Sequence, residues 1–228
     1  MFHTKTQKKT SFLHLLSLSW PTFLGYLFFG MSYGYLMNQN GIPWWGTLLF
    51  SLLVFGGSIQ MMALPWLTHP LPLIQMTLIA FLVNARHLFY SLKRRRFPFE
   101  SKSSEIWSSF TLSDETFTTL EMNPHLDSSS ILILSTLHYF YWSGSTLLGH
   151  LLGSRLNIQL QGLEFILTAL FFSAFLNQVS SSKSSINALS GLVISAVCFM
   201  IFPLVYALTF SLISLLGYTF MVMVQRST

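Results

Sequence analysis

Three short stretches of this sequence carry side chains capable of more than packing. Asn84, Arg86 and His87 close a long apolar run, and a guanidinium facing inward there would hold a carboxylate by two parallel hydrogen bonds. Asp114 and Glu115 stand side by side in Leu112-Ser113-Asp114-Glu115-Thr116-Phe117. A carboxyl partly withdrawn from water has a raised pKa and can carry a proton in the physiological range. The third stretch, Gly56-Gly57-Ser58-Ile59-Gln60 with Pro65 beyond it, has poor helix propensity around one polar amide. An unwound turn there would offer backbone N–H groups to a carboxylate and carbonyls to an ammonium, which together suit a zwitterion. Each stretch also has a plainer reading. Arg86 can snorkel to an interface, the two acids can sit on a solvated loop, and the glycine run can be a packing face with Gln60 bonded to a neighbouring helix.

Other chemistries find little footing. His138 and His150 fall in one apolar run twelve residues apart, while His87 and His125 lie elsewhere, so the close histidine pairs of a metal site are missing. No phosphate-binding glycine loop ending in Lys-Ser or Lys-Thr is present, which excludes ATP-driven pumping by this chain alone. An intramembrane protease would need a buried Ser–His pair, paired aspartates or a His-Glu-x-x-His run, and Asp114 and Asp127 do not lie in apolar spans. Cys198 is the single cysteine and reads as packing. The chain is therefore read as no enzyme, with no metal and no cofactor.

The elements that must position these residues follow from composition. Of 228 residues 52% are hydrophobic and 8% charged, where a soluble domain carries about 25% charged residues. The charges fall in short clusters between long uncharged runs, as at the ends of bilayer-spanning helices. A span takes about 20 apolar residues. The runs that fit are Leu15–Met37, Gly46–Leu67, Leu71–Leu92, Ile131–Gly153, Gly162–Gln178, Asn187–Phe202 and Leu204–Val224. A single helix through the last two would rise about 58 Å against a core of roughly 30 Å, so Pro203 is read as the turn between two spans. The expected fold is all-α: a polytopic membrane bundle of about seven transmembrane helices, with residues 1–14 a tail and 15–226 a single transmembrane domain. Within it, 93–130 is a polar connection carrying one short amphipathic or re-entrant helix, started by Thr111 or Ser113 as cap.

The net charge of +5 is explained by anchoring rather than by nucleic acid, because Lys93, Arg94, Arg95 and Arg96 directly follow a span. With that run in the cytoplasm, Lys102, Lys183 and Arg226 join it, leaving Lys5, Lys8, Lys9 and Arg155 outside; the N-terminal lysines pull against this orientation. The first span runs on through Pro21, Gly25 and Gly30 with no small-residue cleavage site, and is read as a mature helix. Gly25, Gly30 and Gly34 in the first span repeat the spacing of Gly144, Gly149 and Gly153 in the fourth. That pattern fits close backbone packing, and it also fits two inverted three-helix repeats plus one helix, in which equivalent helices cross in opposite directions.

Taken in order, Pro21 with Gly25 and Gly30, Phe55-Gly56-Gly57-Ser58-Ile59-Gln60, Val83-Asn84-Ala85-Arg86-His87-Leu88-Phe89-Tyr90-Ser91 and Leu112-Ser113-Asp114-Glu115-Thr116-Phe117 closely resemble the AzlC family. Tyr141-Trp142 with Gly144, Gly149 and Gly153, then Gly162-Leu163-Glu164-Phe165 and Thr168-Ala169-Leu170-Phe171, continue the resemblance, which covers roughly residues 17 to 178. It departs mildly at Ala85, Ser113 and Glu164, where the family often has Leu, Thr and Asp. The resemblance implies the large subunit of a secondary exporter of branched-chain or other apolar amino acids (leucine, isoleucine, valine or methionine). It further implies an ion gradient as driving force, a small hydrophobic AzlD-type membrane subunit as partner, and the bacterial cytoplasmic (inner) membrane as location. Gly56, Gly57, Ser58, Gln60, Asn84, Arg86 and His87 are the expected substrate-binding residues, with Phe55, Met61 and Phe81 as apolar walls. Asp114, Glu115 and Glu164 are the expected ion-coupling residues. The competing function class is a non-catalytic scaffold or channel-like membrane subunit.

Overall fold

In the computed structural model the described residues are 10–84, 87, 90, 97, 99–155, 172, 176, 185–202, 210, 214 and 217–218. Among them every regular element is a helix. In chain order these are α1 (Phe12–Gln39), α2 (Trp44–Val54), α3 (Gly57–Thr68), α4 (Leu73–Asn84), α5 (Lys102–Phe110), α6 (Asp114–Met122), α7 (Ser128–Arg155) and α8 (Ser185–Ile201). The expected fifth and seventh spans, Gly162–Gln178 and Leu204–Val224, lie outside the described stretches apart from isolated positions. Only α1 is, among the described residues, both long and apolar enough by itself to cross a membrane. α7 is just as long, but serines and histidines on its buried face dilute its apolar character.

The chain divides into two compact units, residues 1–70 with 86–163, and residues 71–85 with 164–228. In the first, α1 and α7 form the central pair. Ser19 meets Tyr141, Tyr26 meets Trp142, Gly34 meets Thr146 and His150, and Gly153 meets Tyr35. The partner number rises together along both helices, so they run in the same direction. Gly30 and Gly34 of the first triplet and Gly149 and Gly153 of the second line one seam, whereas Gly25 and Gly144 stand in open space, and α1 and α7 are not the oppositely directed pair that inverted repeats would make of them. The physical cause is close approach. A Cβ at Gly34 would collide with the Thr146 carbonyl, and one at Gly149 with the Met31 backbone. In lipid, where apolar surface gains little by leaving its surroundings, such backbone proximity is what holds helices together.

The second apolar run does not form a straight span. α2 descends along α7 from Thr47, at His150, to Phe55, at Tyr139. Phe55 then takes a left-handed conformation (φ 41°), Gly56 follows at φ −141° and ψ 88°, and the chain reverses. Gln60 Nε2 donates to Ser51 Oγ at 3.2 Å, whereas nine residues along a continuous helix would separate the two by about 13.5 Å. The break therefore lies at Phe55–Gly56, and Ser58 and Gln60 belong to the new helix rather than to an unwound turn. Tyr139 donates its hydroxyl to the Leu52 carbonyl at 2.9 Å, satisfying one acceptor that the end of α2 leaves open.

The polar connection holds two short helices where one was expected. α5 rises along α7, with Trp107 Nε1 bonded to Thr136 Oγ1 at 2.9 Å and Phe110 against Tyr139. The chain turns at Thr111–Ser113, and α6 returns past His138 toward a cluster of Leu15, Leu120, Leu126, Ile131 and Leu134. Ser101 and Ser104 form a capping box for α5, and Ser113 caps α6 by accepting from Thr116 N at 3.1 Å. Two helical hairpins thus enter from opposite ends of the α1–α7 pair, and both tips reach Tyr139.

In the second unit, α4 and α8 present Leu73, Ile74, Phe81, Leu192, Val193 and Met200 outward, with Cys198 buried. Across the described residues the interior is rich in Ser, Thr and His, while Phe28, Leu53 and Ile74 are largely exposed. A water-soluble fold does not carry that much outward apolar surface.

Candidate functional site

At the first hairpin tip the chemistry is neutral. Gln60 is fully buried; its amide nitrogen donates to Ser51 and its carbonyl accepts from Trp142 Nε1 at 2.8 Å. The Tyr33 ring stacks on Trp142 with its hydroxyl by the Gln60 amide. Gly57 lies against the Trp142 indole, where an added Cβ would stand 2.9 Å from the ring. Gln60 is therefore a strut that fixes the hairpin, and its polar atoms are already engaged. The start of α3 is different. Its cap is Gly56, no side chain caps it, and its first turn holds no acid. The positive end of α3 lies there beside the carbonyl end of α2.

At the second tip the helix start is filled by the chain's own acids. Tyr26 Oη lies 2.7 Å from Glu115 Oε2 and 2.8 Å from Ser113 Oγ. Ser113 Oγ is 2.9 Å from Thr116 Oγ1, which lies 2.8 Å from His138 Nδ1. Tyr90 donates to Asp114 Oδ1 at 2.9 Å and stacks on Phe117, and the His87 ring contacts Tyr90. Between the tips, Phe55, Trp107 and Phe110 surround Tyr139 with ring centroids 5.0 to 5.9 Å from it.

The expected site residues separate accordingly. Gly56, Gly57, Ser58 and Gln60 gather at the first tip, and His87, Asp114 and Glu115 at the second. Asn84, at the end of α4 in the other unit, donates to the Ala80 carbonyl at 3.0 Å. Arg86 and Glu164 lie outside the described residues. Of the expected walls, Phe55 and Met61 are buried, whereas Phe81 is mostly exposed. Tyr26, Thr116, His138 and Trp142 were not singled out for the site. Tyr141-Trp142 was visible as a family block, but the pairing of His138 with Thr116 joins separate helices and leaves no local spacing to read. Among the described residues no group of His, Cys, Asp and Glu is placed to hold a metal ion.

The model of the family described as AzlC protein matches residues 21–156, which include both hairpins and the α1–α7 pair. The chain belongs to the AzlC family. A membrane protein of Helicobacter pylori is 32% identical over 209 residues, covering 90% of each chain. Another, from Haemophilus influenzae, is 30% identical over 200 residues, covering 86% of this chain and 82% of its own. The branched-chain amino acid transport protein AzlC of Bacillus subtilis is 28% identical over 186 residues, covering 80% of this chain and 73% of its own. No solved structure matches. This AzlC-family chain, helical in every regular element among its described residues, is thus a membrane protein of a transport family rather than of an enzyme family.

Proposed function

We propose that this chain is the large subunit of a secondary exporter of branched-chain or similar apolar amino acids, driven by an ion gradient and working with a small AzlD-type membrane subunit in the bacterial cytoplasmic membrane. The observation that carries the reading is the pair of opposed hairpins. Helices of 11 and 12 residues in one, and of 9 and 9 in the other, span about 14 to 18 Å each, roughly half of a 30 Å hydrocarbon core. Re-entrant pairs of that length bring helix ends to the bilayer midplane, where transporters hold polar substrates. At the first tip the start of α3 suits a carboxylate and the carbonyl end of α2 an ammonium, and the aromatic group at Tyr139 suits an aliphatic side chain. Gly56 and Gly57 then act through their backbone. Asp114 and Glu115, at the second tip, serve coupling. With the second apolar run folded back as a hairpin, the six other runs give about six crossings in place of seven.

The substrate class is supported by the name of the Bacillus subtilis relative, a branched-chain amino acid transport protein. The test is counterflow of radiolabelled leucine in proteoliposomes holding the full chain, with and without the small subunit, followed by the accumulation of leucine, isoleucine, valine and methionine in cells lacking the protein and fed dipeptides. Leucine exchange with the subunit present is the expected result. No exchange in either preparation, and no accumulation of any of the four, overturns the reading.

A further inference from the structure

His138 is fully buried in α7, and it is the terminus of an unbroken chain of hydrogen bonds that begins at a carboxylate on another helix. From Glu115 Oε2 the contacts run to Tyr26 Oη at 2.7 Å, Ser113 Oγ at 2.8 Å, Thr116 Oγ1 at 2.9 Å and His138 Nδ1 at 2.8 Å. α1 contributes one member, α6 with its cap three, and α7 one. The other ring nitrogen, Nε2, is buried and has no hydrogen-bond partner among the described residues. Burial of an imidazole with one nitrogen satisfied and the other left open is costly for a purely packing residue. The titratable groups facing it are Tyr26 from α1, Tyr141 on α7, and Glu115 and Asp114 from the first turn of α6 by way of Ser113 and Thr116.

Hydrogen counting gives this chain two polarities. Tyr26 has one hydroxyl hydrogen and two oxygens within bonding distance. The structure has Tyr26 donating to Ser113; the opposite polarity, with Tyr26 donating to an ionised Glu115, is reached when the Ser113 hydroxyl turns toward Tyr26, Thr116 donates to Ser113, and His138 Nδ1–H to Thr116. When Tyr26 donates to Ser113, the short contact to Glu115 is filled by a carboxyl hydrogen, every hydroxyl points the other way, and His138 Nδ1 accepts. Both arrangements satisfy every oxygen in the chain.

We propose that Glu115, Tyr26, Ser113, Thr116 and His138 form a proton relay, with His138 as its inner acceptor. The inference rests on the reading of the chain as an ion-driven exporter and names the ion. In the transfer, the Glu115 O–H bond breaks and its hydrogen bonds to Tyr26. Tyr26 passes its own to Ser113, Ser113 to Thr116 and Thr116 to His138, where an Nδ1–H bond forms. Glu115 is left anionic and His138 cationic, with no change in electrons. His138 holds the proton, and the same chain of hydroxyls run in reverse returns it to Glu115. Thr116 is the link that can be cut without removing a titratable group.

The experiment uses the full chain with its small subunit in proteoliposomes containing a pH-sensitive dye. It compares leucine counterflow with leucine flux driven by a pH gradient, across a range of pH. Thr116→Val is expected to lose gradient-driven flux and dye response out of proportion to any fall in counterflow, and Thr116→Ser to restore both. His138→Gln, which keeps a hydrogen-bonding side chain but holds no extra proton, is expected to show the same loss with a flattened pH profile. A wild-type ratio of driven flux to counterflow in Thr116→Val, a failure of Thr116→Ser to restore it, or flux driven by sodium with no dye response overturns the relay while leaving transport intact. Absence of counterflow in the wild type removes the transport reading, and the relay with it.

Discussion

The two hairpin tips use one device for opposite chemistry. Each breaks a helix pair beside Tyr139, but the α2–α3 tip holds itself with a neutral amide and starts α3 with neither a side-chain cap nor an acid in its first turn, whereas the α5–α6 tip caps its helix with Ser113 and loads the first turn with Asp114 and Glu115. A helix start carries roughly half a positive charge, and an acid placed there is stabilised by about 0.3 to 1 kcal/mol. What fills that charge therefore decides what the tip can do. On the proposed reading, the start without acids takes a ligand's carboxylate and the acid-bearing one a protonatable group, which divides substrate and coupling ion within one folded unit.

The largest expected effect is on the support common to both tips. Gly149→Val drives a side chain into the Met31 backbone and opens the α1–α7 seam, so folded protein recovered from membranes should fall to a small fraction of wild type by size-exclusion fluorescence. Recovery at the wild-type level means that the seam does not hold the tips. Glu115→Gln and Asp114→Asn act on the second tip alone. Gradient-driven export should fall far more than exchange in these variants, and undiminished uphill export in both removes the acids from coupling.

The converse substitution is Gln60→Leu, which leaves Trp142 Nε1 and Ser51 Oγ without the amide. A buried donor stripped of its acceptor costs about 1–3 kcal/mol. The melting temperature in detergent should drop and exchange and export should decline together, because the strut is lost and the relay is not. A selective loss of driven export in Gln60→Leu erases the proposed division of labour. Gly57→Ala is the mildest: one methyl against the Trp142 indole should raise the KM for leucine with little change in maximal rate. An unchanged KM means that the start of α3 is not the carboxylate site.

Much of the architecture could be read from residue order. The break near Gly56 follows from adjacent glycines in an apolar run, and the Ser113 cap follows from a hydroxyl placed just before two acids. The matching glycine triplets marked the seam helices, but the same spacing fits oppositely directed repeats and a parallel pair packed face to face. Nothing local distinguishes them, since direction depends on what the intervening chain does. That chain contains a reversal at Phe55, and a bulky residue in a left-handed conformation is the kind of exception that propensity argues against. Gln60 gave a similar ambiguity. A buried amide must find partners, but whether these are a ligand or a neighbouring helix depends on where Trp142 lies.

By itself, then, the sequence determined that this chain belongs in a bilayer, because so few charges cannot cover a water-soluble surface, and that it is helical, because hydrocarbon leaves the backbone no other partners than its own. It determined the family as well, through blocks whose order is specific. The tertiary structure alone decided that the glycine helices run together, that two hairpins meet at Tyr139, and that His138 ends a chain starting at Glu115. The reason is range. Propensity and capping act over a few residues, whereas these contacts join positions 22 to more than 100 residues apart, and only the folded chain specifies which polar group reaches which.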